Sequence, residues 1–214
     1  MKEVSSPQYE EVTVYLEHEG QIVQIEFLNE SVYTNVSINK SGYTEVVPGQ
    51  EIRYTFKDIG NNSTVPLDSF YWRDTLPTDA VRLDKIITGT YSTRLNYKVV
   101  YQTNLSNTPR VLADNLNTLQ NYTLDASPAA LGLASNEYVT QVTFLFGRVP
   151  GGFRQVETPY IYCDVLSSLP HEYRFSNNCD VGGMWQNQWI QATDRWVTII
   201  YRGGPVPTLP RTGY

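Results

Sequence analysis

Alternating apolar and polar residues are the main pattern in the first 33 positions of the chain. Val12, Val14 and Leu16 fall on one face of an extended segment, and a second apolar run follows a Glu-Gly turn. A period of two places successive side chains on opposite faces of a β-strand, so the pattern predicts a β-hairpin. Because an isolated hairpin is only marginally stable in water, we expect residues 1–33 to be the closing strands of a preceding domain.

The same period continues through residues 34–202 and predicts a larger β-domain. Lys40 shares its strand face with Ile38, and Asp74 shares its face with Trp72, so both charged side chains are predicted to point inward. Further strands between Gly, Pro and Asn turns are predicted at residues 86–90, 95–102, 139–146, 160–166, 173–181 and 196–201. Only residues 126–133 have a helical pattern. Many short strands favour an all-β fold, with two sheets packed as a sandwich.

The composition agrees with an all-β domain and argues against two kinds of partner. The chain contains 16 Tyr, 7 Phe and 4 Trp, which are residue types that favour strands. Its net charge is −6 with only 16 Lys and Arg, so it lacks the basic stripe that binds nucleic acid or an anionic membrane surface. No run approaches the roughly 20 apolar residues of a membrane span. We therefore expect neither nucleic-acid binding nor membrane insertion.

Motifs of the common catalytic and metal-binding classes are missing from the sequence. There is no Gly-x-Ser-x-Gly elbow, no His-Glu-x-x-His, no phosphate loop and no dinucleotide-binding glycine pattern. His18 and His171 lie far apart, with no carboxylate or cysteine at ligand spacing, so neither a metal nor another cofactor is predicted. We predict a protein that is not an enzyme. A wall-attached hydrolase with a convergent acidic cleft is the catalytic alternative.

Residues 203–214 form a tail that is too rich in Pro and Gly to pack. Five consecutive residues in it match the LPxTG motif recognised by sortases, namely Leu209, Pro210, Arg211, Thr212 and Gly213. The tail resembles the sorting signal of cell-wall-anchored surface proteins of Gram-positive bacteria. In that family, sortase cleaves between Thr and Gly and joins the protein to peptidoglycan. The resemblance therefore implies an extracellular, wall-anchored protein whose partners are sortase and peptidoglycan.

A second resemblance covers the start of the larger unit. Lys40 precedes the run Val-Pro-Gly-Gln-Glu-Ile-Arg-Tyr-Thr-Phe at residues 47–56, and residues 74–77 are Asp-Thr-Leu-Pro. This pattern resembles the opening of the Cna-type and DUF11-like Ig-like repeat domains of Gram-positive pilins and adhesins, which implies an Ig-like β-sandwich. Residues 25–29 resemble the closing strand of a CnaB-like repeat, in which Asn29 would lack its Lys partner.

Several domains of this type form an internal isopeptide bond between a Lys of the first strand and an Asn of the last. At the matching positions the resemblance implies Lys40 as the nucleophile, Asp74 as the assisting acid and Asn177 as the amide. Asn178 is the alternative amide in a shifted register, and Glu137 is the alternative acid. Burial favours an uncharged amine that can attack, and a protonated carboxyl group can polarise the amide by donating a hydrogen bond. Unless these three polar groups bond to one another, burying them on apolar faces would be costly in free energy.

Cys163 and Cys179 are the two cysteines of the chain, and the sequence leaves two states open. The predicted strands place them on antiparallel neighbours on either side of a turn near Leu169-Pro170, where opposed Cβ atoms would be within reach of a disulfide. Closing a loop of about 15 residues would contribute roughly 3 kcal/mol in the chain-entropy model. The alternative is two free thiols that fill space in the core.

Three tryptophans, Trp185, Trp189 and Trp196, lie close together in the sequence with Gln188 and Tyr201. Aromatic rings exposed together on one surface would form a platform for sugar rings, whereas the same residues would otherwise pack inside the sandwich. Exposure of the three indoles on one surface is the test that separates these interpretations.

We interpret the chain as a structural stalk or display module in a multidomain adhesin or pilin-like protein. Its units are residues 1–33, the end of a CnaB-like repeat, residues 34–202, an Ig-like β-sandwich, and the sorting tail at residues 203–214. The alternative function is a carbohydrate- or host-protein-binding adhesin domain, whose partner would be a host glycan or protein. A concave, exposed aromatic patch would favour that alternative.

Overall fold

A computed structural model of the chain describes residues 10–18, 21–29 and 32–202, with side chains described in the last of these ranges. Every helix or strand that it assigns within those residues is a β-strand. The all-β prediction is therefore confirmed. In the same residues, no helix is long and apolar enough to cross a membrane.

The strands are numbered in chain order. The first eight are β1 (Glu10–His18), β2 (Gln21–Asn29), β3 (Val36–Ser41), β4 (Glu45–Val46), β5 (Glu51–Asn61), β6 (Leu67–Thr75), β7 (Val81–Ile87) and β8 (Thr90–Tyr91). The other eight are β9 (Asn96–Thr103), β10 (Ser106–Asn117), β11 (Thr123–Asp125), β12 (Val139–Val149), β13 (Gln155–Glu157), β14 (Tyr160–Val165), β15 (Arg174–Trp185) and β16 (Gln188–Ile200).

The N-terminal strands β1 and β2 form a two-stranded antiparallel sheet of their own. Glu10 lies opposite Asn29, and His18 lies opposite Gln21. The hairpin lies where the alternation of apolar and polar residues predicts it. Asn29 ends β2, and its side chain is outside the described residues.

The larger unit contains two main sheets. Seven strands pair in the order β10-β9-β12-β6-β15-β16-β4, and five pair in the order β11-β7-β14-β5-β3. A small third sheet pairs β13 with β8. Neighbouring strands are antiparallel except β16 and β4, which run parallel with Ile199 opposite Glu45. The predicted sandwich-like arrangement of two sheets is therefore present.

Aromatic side chains from the two sheets pack against each other in the core. Phe56 of the five-stranded sheet lies 4.9 Å from Trp72 of the seven-stranded sheet, measured between ring centroids. Trp72 also stacks on Phe144 of β12 at 3.9 Å. All three side chains are fully buried. Each buried aromatic side chain removes a large apolar area from water, and this burial is the main force that holds the sheets together.

The strand pairing decides which residues can meet between the sheets. Lys40 on β3 lies opposite Phe56 on β5, so its side chain starts from the inner face of the five-stranded sheet. On the other sheet β6 and β15 are neighbours, with Asp74 opposite Cys179. Asn177 is two positions from Cys179 on β15 and therefore shares its inward face.

The helical pattern over residues 126–133 predicts the wrong structure, because this segment forms consecutive turns. The amide of Leu131 donates to Ser127, whereas the amides of Gly132 and Leu133 donate to Ala129 and Pro128. These three bonds have different spacings, so no regular helical ladder forms. Gly132 adopts a positive φ of 62°, which ends the last turn in a left-handed conformation that favours glycine.

Candidate functional site

Lys40 has a side chain with no exposure to solvent. The strand alternation of β3 turns it inward beside Val36 and Ile38, which are also buried. Its ammonium nitrogen Nζ lies over two rings of β5, 4.8 Å from the centroid of Tyr54 and 4.7 Å from that of Phe56. The faces of these aromatic rings attract the cation and exclude water from it.

Asp74 lies against Lys40 and is fully buried. Its Oδ1 accepts a hydrogen bond from Lys40 Nζ, and the two side chains form an ion pair. Its Oδ2 accepts a hydrogen bond of 3.3 Å from Nδ2 of Asn177. One carboxylate therefore contacts the amine with one oxygen and the carboxamide with the other.

Asn177 completes the cluster from β15. It is fully buried between Phe175 and Cys179, the neighbouring inward residues of the same strand. Nδ2 contacts Asp74, but no donor in the described residues reaches the carboxamide oxygen Oδ1. An unsatisfied buried carbonyl oxygen carries a desolvation penalty of roughly 1–3 kcal/mol, so this half of the amide is the unusual part of the cluster.

Burial raises the pKa of Asp74 above its ordinary value. The positive charge of Lys40 and hydrogen bonds from Lys40 and Asn177 act in the opposite direction. A carboxyl group that is easier to protonate can take a proton from a neighbouring ammonium group. The environment of Asp74 therefore favours proton transfer within the Lys40–Asp74 pair and reduces the cost of keeping two charges out of water.

The geometry gives the carboxylate a different position from the one that the sequence predicts. The resemblance implies an acid that polarises the amide by donating a hydrogen bond to it, whereas Asp74 lies against the nitrogen of Asn177. Because its two oxygens contact the two nitrogens, it can move a proton from Nζ of Lys40 to Nδ2 of Asn177. That placement fits a proton carrier between an attacking amine and a leaving amide nitrogen.

The two alternative residues are outside this cluster. Asn178 points away from the core and is exposed. Glu137 accepts a hydrogen bond of 2.8 Å from Thr103 and pairs with Arg110 at 2.8 Å. The Thr103 hydrogen bond lowers the pKa of Glu137, with a further contribution from Arg110. The structure thus brings together Lys40, Asp74 and Asn177 and leaves Asn178 and Glu137 elsewhere.

The predicted hairpin between Cys163 and Cys179 is wrong. Cys163 lies on β14 of the five-stranded sheet and Cys179 on β15 of the seven-stranded sheet, because the chain crosses between sheets after residue 165. Both residues are buried free thiols. Burial raises the pKa of Cys163, and it raises the pKa of Cys179 to about 12.

Of the two interpretations that the sequence leaves open for these tryptophans, the exposed platform is not present, because the three indoles do not share one exposed surface. Trp196 is half-buried on the inner side of β16, where its Nε1 donates a hydrogen bond of 3.0 Å to the carbonyl of Tyr43. Trp185 is half-buried and packs against the core. Trp189 alone among the three is exposed, at 53%. The odd and even positions of β16 face opposite ways, which separates Trp189 from Trp196.

Gln188 and Tyr201, the other two members of the proposed platform, are also apart from each other. Gln188 is exposed at the first position of β16, opposite Trp185. Tyr201 lies beyond the last residue of that strand. The centroid of its ring is 5.4 Å from the centroid of the His171 ring. The length of β16 therefore separates them.

Two residues near the cluster were not singled out from the sequence. Asp194 of β16 accepts a hydrogen bond of 2.6 Å from the backbone amide of Lys40, which fixes β3 against the seven-stranded sheet. Tyr54 lies beside Lys40, and its buried hydroxyl has no hydrogen-bond partner among the described residues. The alternation of Ile52, Tyr54 and Phe56 predicts that Tyr54 points inward, and this was the signal available in the sequence.

The sorting motif, Leu209 to Gly213, lies outside the described residues. Within those residues, no group of three or more His, Cys, Asp or Glu side chains is arranged to hold a metal ion.

Comparisons with known proteins give no family for the chain. No family model matches it, and no curated protein gives a significant match. Several solved structures share a low level of similarity with it. The collagen-binding subdomain ACE19 of the Enterococcus faecalis surface protein ACE is 11% identical, with a TM-score of 0.37 over 77% of this chain and 96% of that one.

Two further solved structures are less similar. AvmM, which catalyses macrocyclisation in alchivemycin A biosynthesis, is 10% identical, with a TM-score of 0.32 over 91% of this chain and 99% of its own. AggA, the major subunit of aggregative adherence fimbriae type I from Escherichia coli, is 9% identical. Its TM-score is 0.29 over 79% of this chain and 95% of its own. These TM-scores are too low for any of the three proteins to indicate the function of this chain.

Proposed function

We propose that residues 34–202 are a structural stalk or display module of an extracellular surface protein, cross-linked internally by an isopeptide bond between Lys40 and Asn177. The observation that carries the proposal is the buried cluster of Lys40, Asp74 and Asn177 between the two sheets. Its three members come from β3, β6 and β15, so the bond would tie one sheet to the other. A domain that must resist unfolding outside the cell would benefit from such a link.

The contacts supply the groups that the reaction needs. Lys40 Nζ gives a proton to Asp74 and attacks Cγ of Asn177, which forms the new carbon–nitrogen bond. Asp74 then moves a proton from Nζ to Nδ2, the bond between Cγ and Nδ2 breaks, and ammonia leaves. The remaining proton stays on Asp74, whose burial favours the neutral acid, and ammonia leaves uncharged. The product amide is neutral, so an ion pair no longer has to be kept in the core.

Intact-mass measurement of the purified chain tests this cross-link. We expect a mass lower than that of the unmodified chain by about 17 Da, the mass of one ammonia expelled by the amine. Asn177→Ala and Lys40→Ala should each have the full calculated mass, and so should Asp74→Ala, because the proton carrier is gone. The matched control Asn178→Ala should still lose ammonia. A wild-type chain of full mass would contradict the proposal.

Attachment to the cell wall is the second part of the proposed function and depends on the sorting motif. We expect a purified sortase to cleave the chain after Thr212 and to join it to an oligoglycine probe, so that the mass changes by the probe gained minus the Gly213-Tyr214 dipeptide released. The control variant Leu209→Ala should remain unjoined because it removes a residue of the motif. Failure of the wild-type chain to react with sortases of several classes would contradict anchoring, whatever the state of the cross-link.

Ligand binding is a second candidate function, favoured by one observation on the outer face of the seven-stranded sheet. Trp189 is exposed there, and its ring lies edge-on to the Tyr71 ring with 6.2 Å between the ring centroids. The Tyr71 hydroxyl accepts a hydrogen bond from Gln191 and donates one to Asp180. An exposed indole beside ordered polar groups suits a sugar ring. A glycan array probed with the wild-type chain and with Trp189→Ala tests this function, and equal signals for the two proteins would contradict it.

A further inference from the structure

Two buried polar atoms beside the Lys40–Asp74 pair have no hydrogen-bond partner in the part of the chain that the structure describes, and they are complementary. Oδ1 of Asn177 is an acceptor with no donor, and the Tyr54 hydroxyl is a donor with no acceptor. Asn177 is fully buried, and Tyr54 is 1% exposed. Buried polar groups in proteins are nearly always hydrogen-bonded, so each exception requires an explanation.

The Tyr54 side chain is close to the reacting groups. Lys40 Nζ lies 4.8 Å from the centroid of its ring. Burial raises the pKa of Tyr54, and the negative charges of Cys163 and Asp74 would raise it further. The Asn177 and Thr198 side chains lower it, since Nδ2 and the hydroxyl could each donate to the phenol oxygen if it were charged. Nζ of Lys40 and the Asn177 carboxamide both contact Asp74, so Tyr54 borders the same buried cluster, and its hydroxyl makes no hydrogen bond there before the reaction.

Attack on Cγ changes what the carboxamide oxygen requires. When Nζ adds to Cγ of Asn177, the carbonyl carbon becomes tetrahedral and negative charge develops on Oδ1. In a site without water, a preorganised donor at such an oxygen lowers the barrier. Donors of this kind are often poorly aligned before reaction and align only as the transition state forms.

The other nearby donors do not meet this need. The Thr198 hydroxyl donates a 2.8 Å hydrogen bond to the carbonyl of Tyr43, and Trp196 donates to the same carbonyl. Ser176 has an unpartnered hydroxyl, but strand alternation turns it to the face of β15 opposite Asn177. Asp74 is engaged with the two nitrogens.

We propose that the Tyr54 hydroxyl is the oxyanion donor of the cross-linking reaction, donating its hydrogen to Oδ1 of Asn177 as Lys40 attacks. This inference rests on the proposed Lys40–Asn177 bond. The two residues then have separate roles. Asp74 moves the protons between the nitrogens, and Tyr54 stabilises the negative charge on the oxygen. Tyr54 also remains as a hydrogen-bond donor to the product amide.

Timed cell-free translation of the full chain tests the role of Tyr54. Synthesis is stopped with an inhibitor, samples are quenched in acid at intervals, and intact mass gives the fraction that has lost ammonia. We expect Tyr54→Phe, which removes only the oxygen, to slow the loss by on the order of 100-fold, the typical effect of deleting one oxyanion donor. Tyr97→Phe is the matched control, because Tyr97 is also buried with an unpartnered hydroxyl but lies on β9, away from the cluster. It should react at the wild-type rate.

The outcomes separate this inference from the proposed bond. Equal rates for Tyr54→Phe and wild type overturn the role of Tyr54 and leave the bond standing. A wild-type chain that never loses ammonia overturns the bond and the inference with it. An effect on folding is measured in the unreactive Lys40→Arg background. Adding Tyr54→Phe there should leave the denaturant midpoint equal or raise it, because the hydroxyl that is lost is buried and has no partner within the described residues. A clearly lower midpoint would make Tyr54 a structural residue and overturn its role as donor.

Discussion

Asp74 combines complete burial with contacts to two different nitrogens. Full burial would keep a lone carboxyl group protonated, whereas the Lys40 ammonium favours the carboxylate, and the two effects oppose each other at one residue. Removing one partner of such a pair costs about 3–5 kcal/mol because the remaining charge is buried alone. Whether the Asp74 carboxyl group is protonated should therefore depend on Lys40. The pH dependence of folding stability should reveal this.

A Lys40→Met variant should lose stability as pH rises from about 4 towards neutral. Burial raises the pKa of Asp74 in the folded state, so the folded chain holds this proton at pH values where the unfolded chain, with a pKa near about 3.9, has released it. The stabilisation is complete below the unfolded pKa and is lost as pH rises through the folded one. Denaturant midpoints between pH 4 and 7 measure the slope. The double variant Lys40→Met, Asp74→Asn should lack this pH dependence. Equal slopes for the single and double variants would show that Asp74 is not its source.

Both thiols should be unreactive in the folded chain and reactive after unfolding. Burial raises the pKa of Cys179 to about 12 and also raises that of Cys163, so little thiolate exists at pH 8, and the thiolate is the form that reacts with alkylating agents. We expect no alkylation in buffer and two modified cysteines per chain in denaturant without reductant. An absence of modification in denaturant would show a disulfide and contradict the free thiols.

Individual strands are predictable from the sequence because alternation reports which side chains face the core. This is why Lys40, Asp74 and Asn177 could each be assigned to an inward face before their contacts were known. Alternation does not report which sheet a strand joins. For that reason Cys163 and Cys179 were assigned to one hairpin although β14 and β15 belong to opposite sheets. Likewise, the carboxamide atom that Asp74 contacts depends on packing, which no local pattern contains.

The connection between β7 and β8 depends on a glycine that can be tested by substitution. Gly89 has a positive φ of 67°, and a Cβ atom there would lie 2.4 Å from the carbonyl oxygen of Glu157. Gly132 has a similar φ of 62° but no atom within 4 Å of the same position. We expect Gly132→Ala to cost about 1 kcal/mol, from backbone strain alone. Gly89→Ala should lower the free energy of unfolding by at least about 2 kcal/mol more than that, because the backbone at Glu157 must also move. Equal free energies of unfolding would contradict the tight packing at Gly89.

For the whole molecule, the cluster connects elements that are far apart in the chain. β3 is the first strand of the larger unit, β15 is the last but one, and they belong to different sheets. A covalent link between them would close a loop of more than 100 residues. By the chain-entropy model used for disulfides, closing such a loop contributes about 5 kcal/mol. The link would therefore stabilise the domain mainly by restricting its unfolded state.

Asn177→Ala should lower the melting temperature by about 10–20 °C while the domain stays folded. The expected range follows from a loss of about 5 kcal/mol in a domain of this size. Differential scanning calorimetry of the variant beside wild type measures the shift, with Asn178→Ala as the control, because that side chain is exposed on the same strand. A variant that melts with the parent would show that Asn177 is not part of a cross-link.

Tryptic digestion followed by fragmentation mass spectrometry tests the Lys40–Asn177 bond most directly. Trypsin cannot cleave after a lysine whose Nζ has become an amide. We predict a branched peptide in which the segment containing an uncleaved Lys40 is joined to the segment containing Asn177, with a mass about 17 Da below the sum of the two. Fragment ions should place the junction on these two side chains. Linear peptides cleaved after Lys40, together with an intact Asn177 peptide, would contradict the bond.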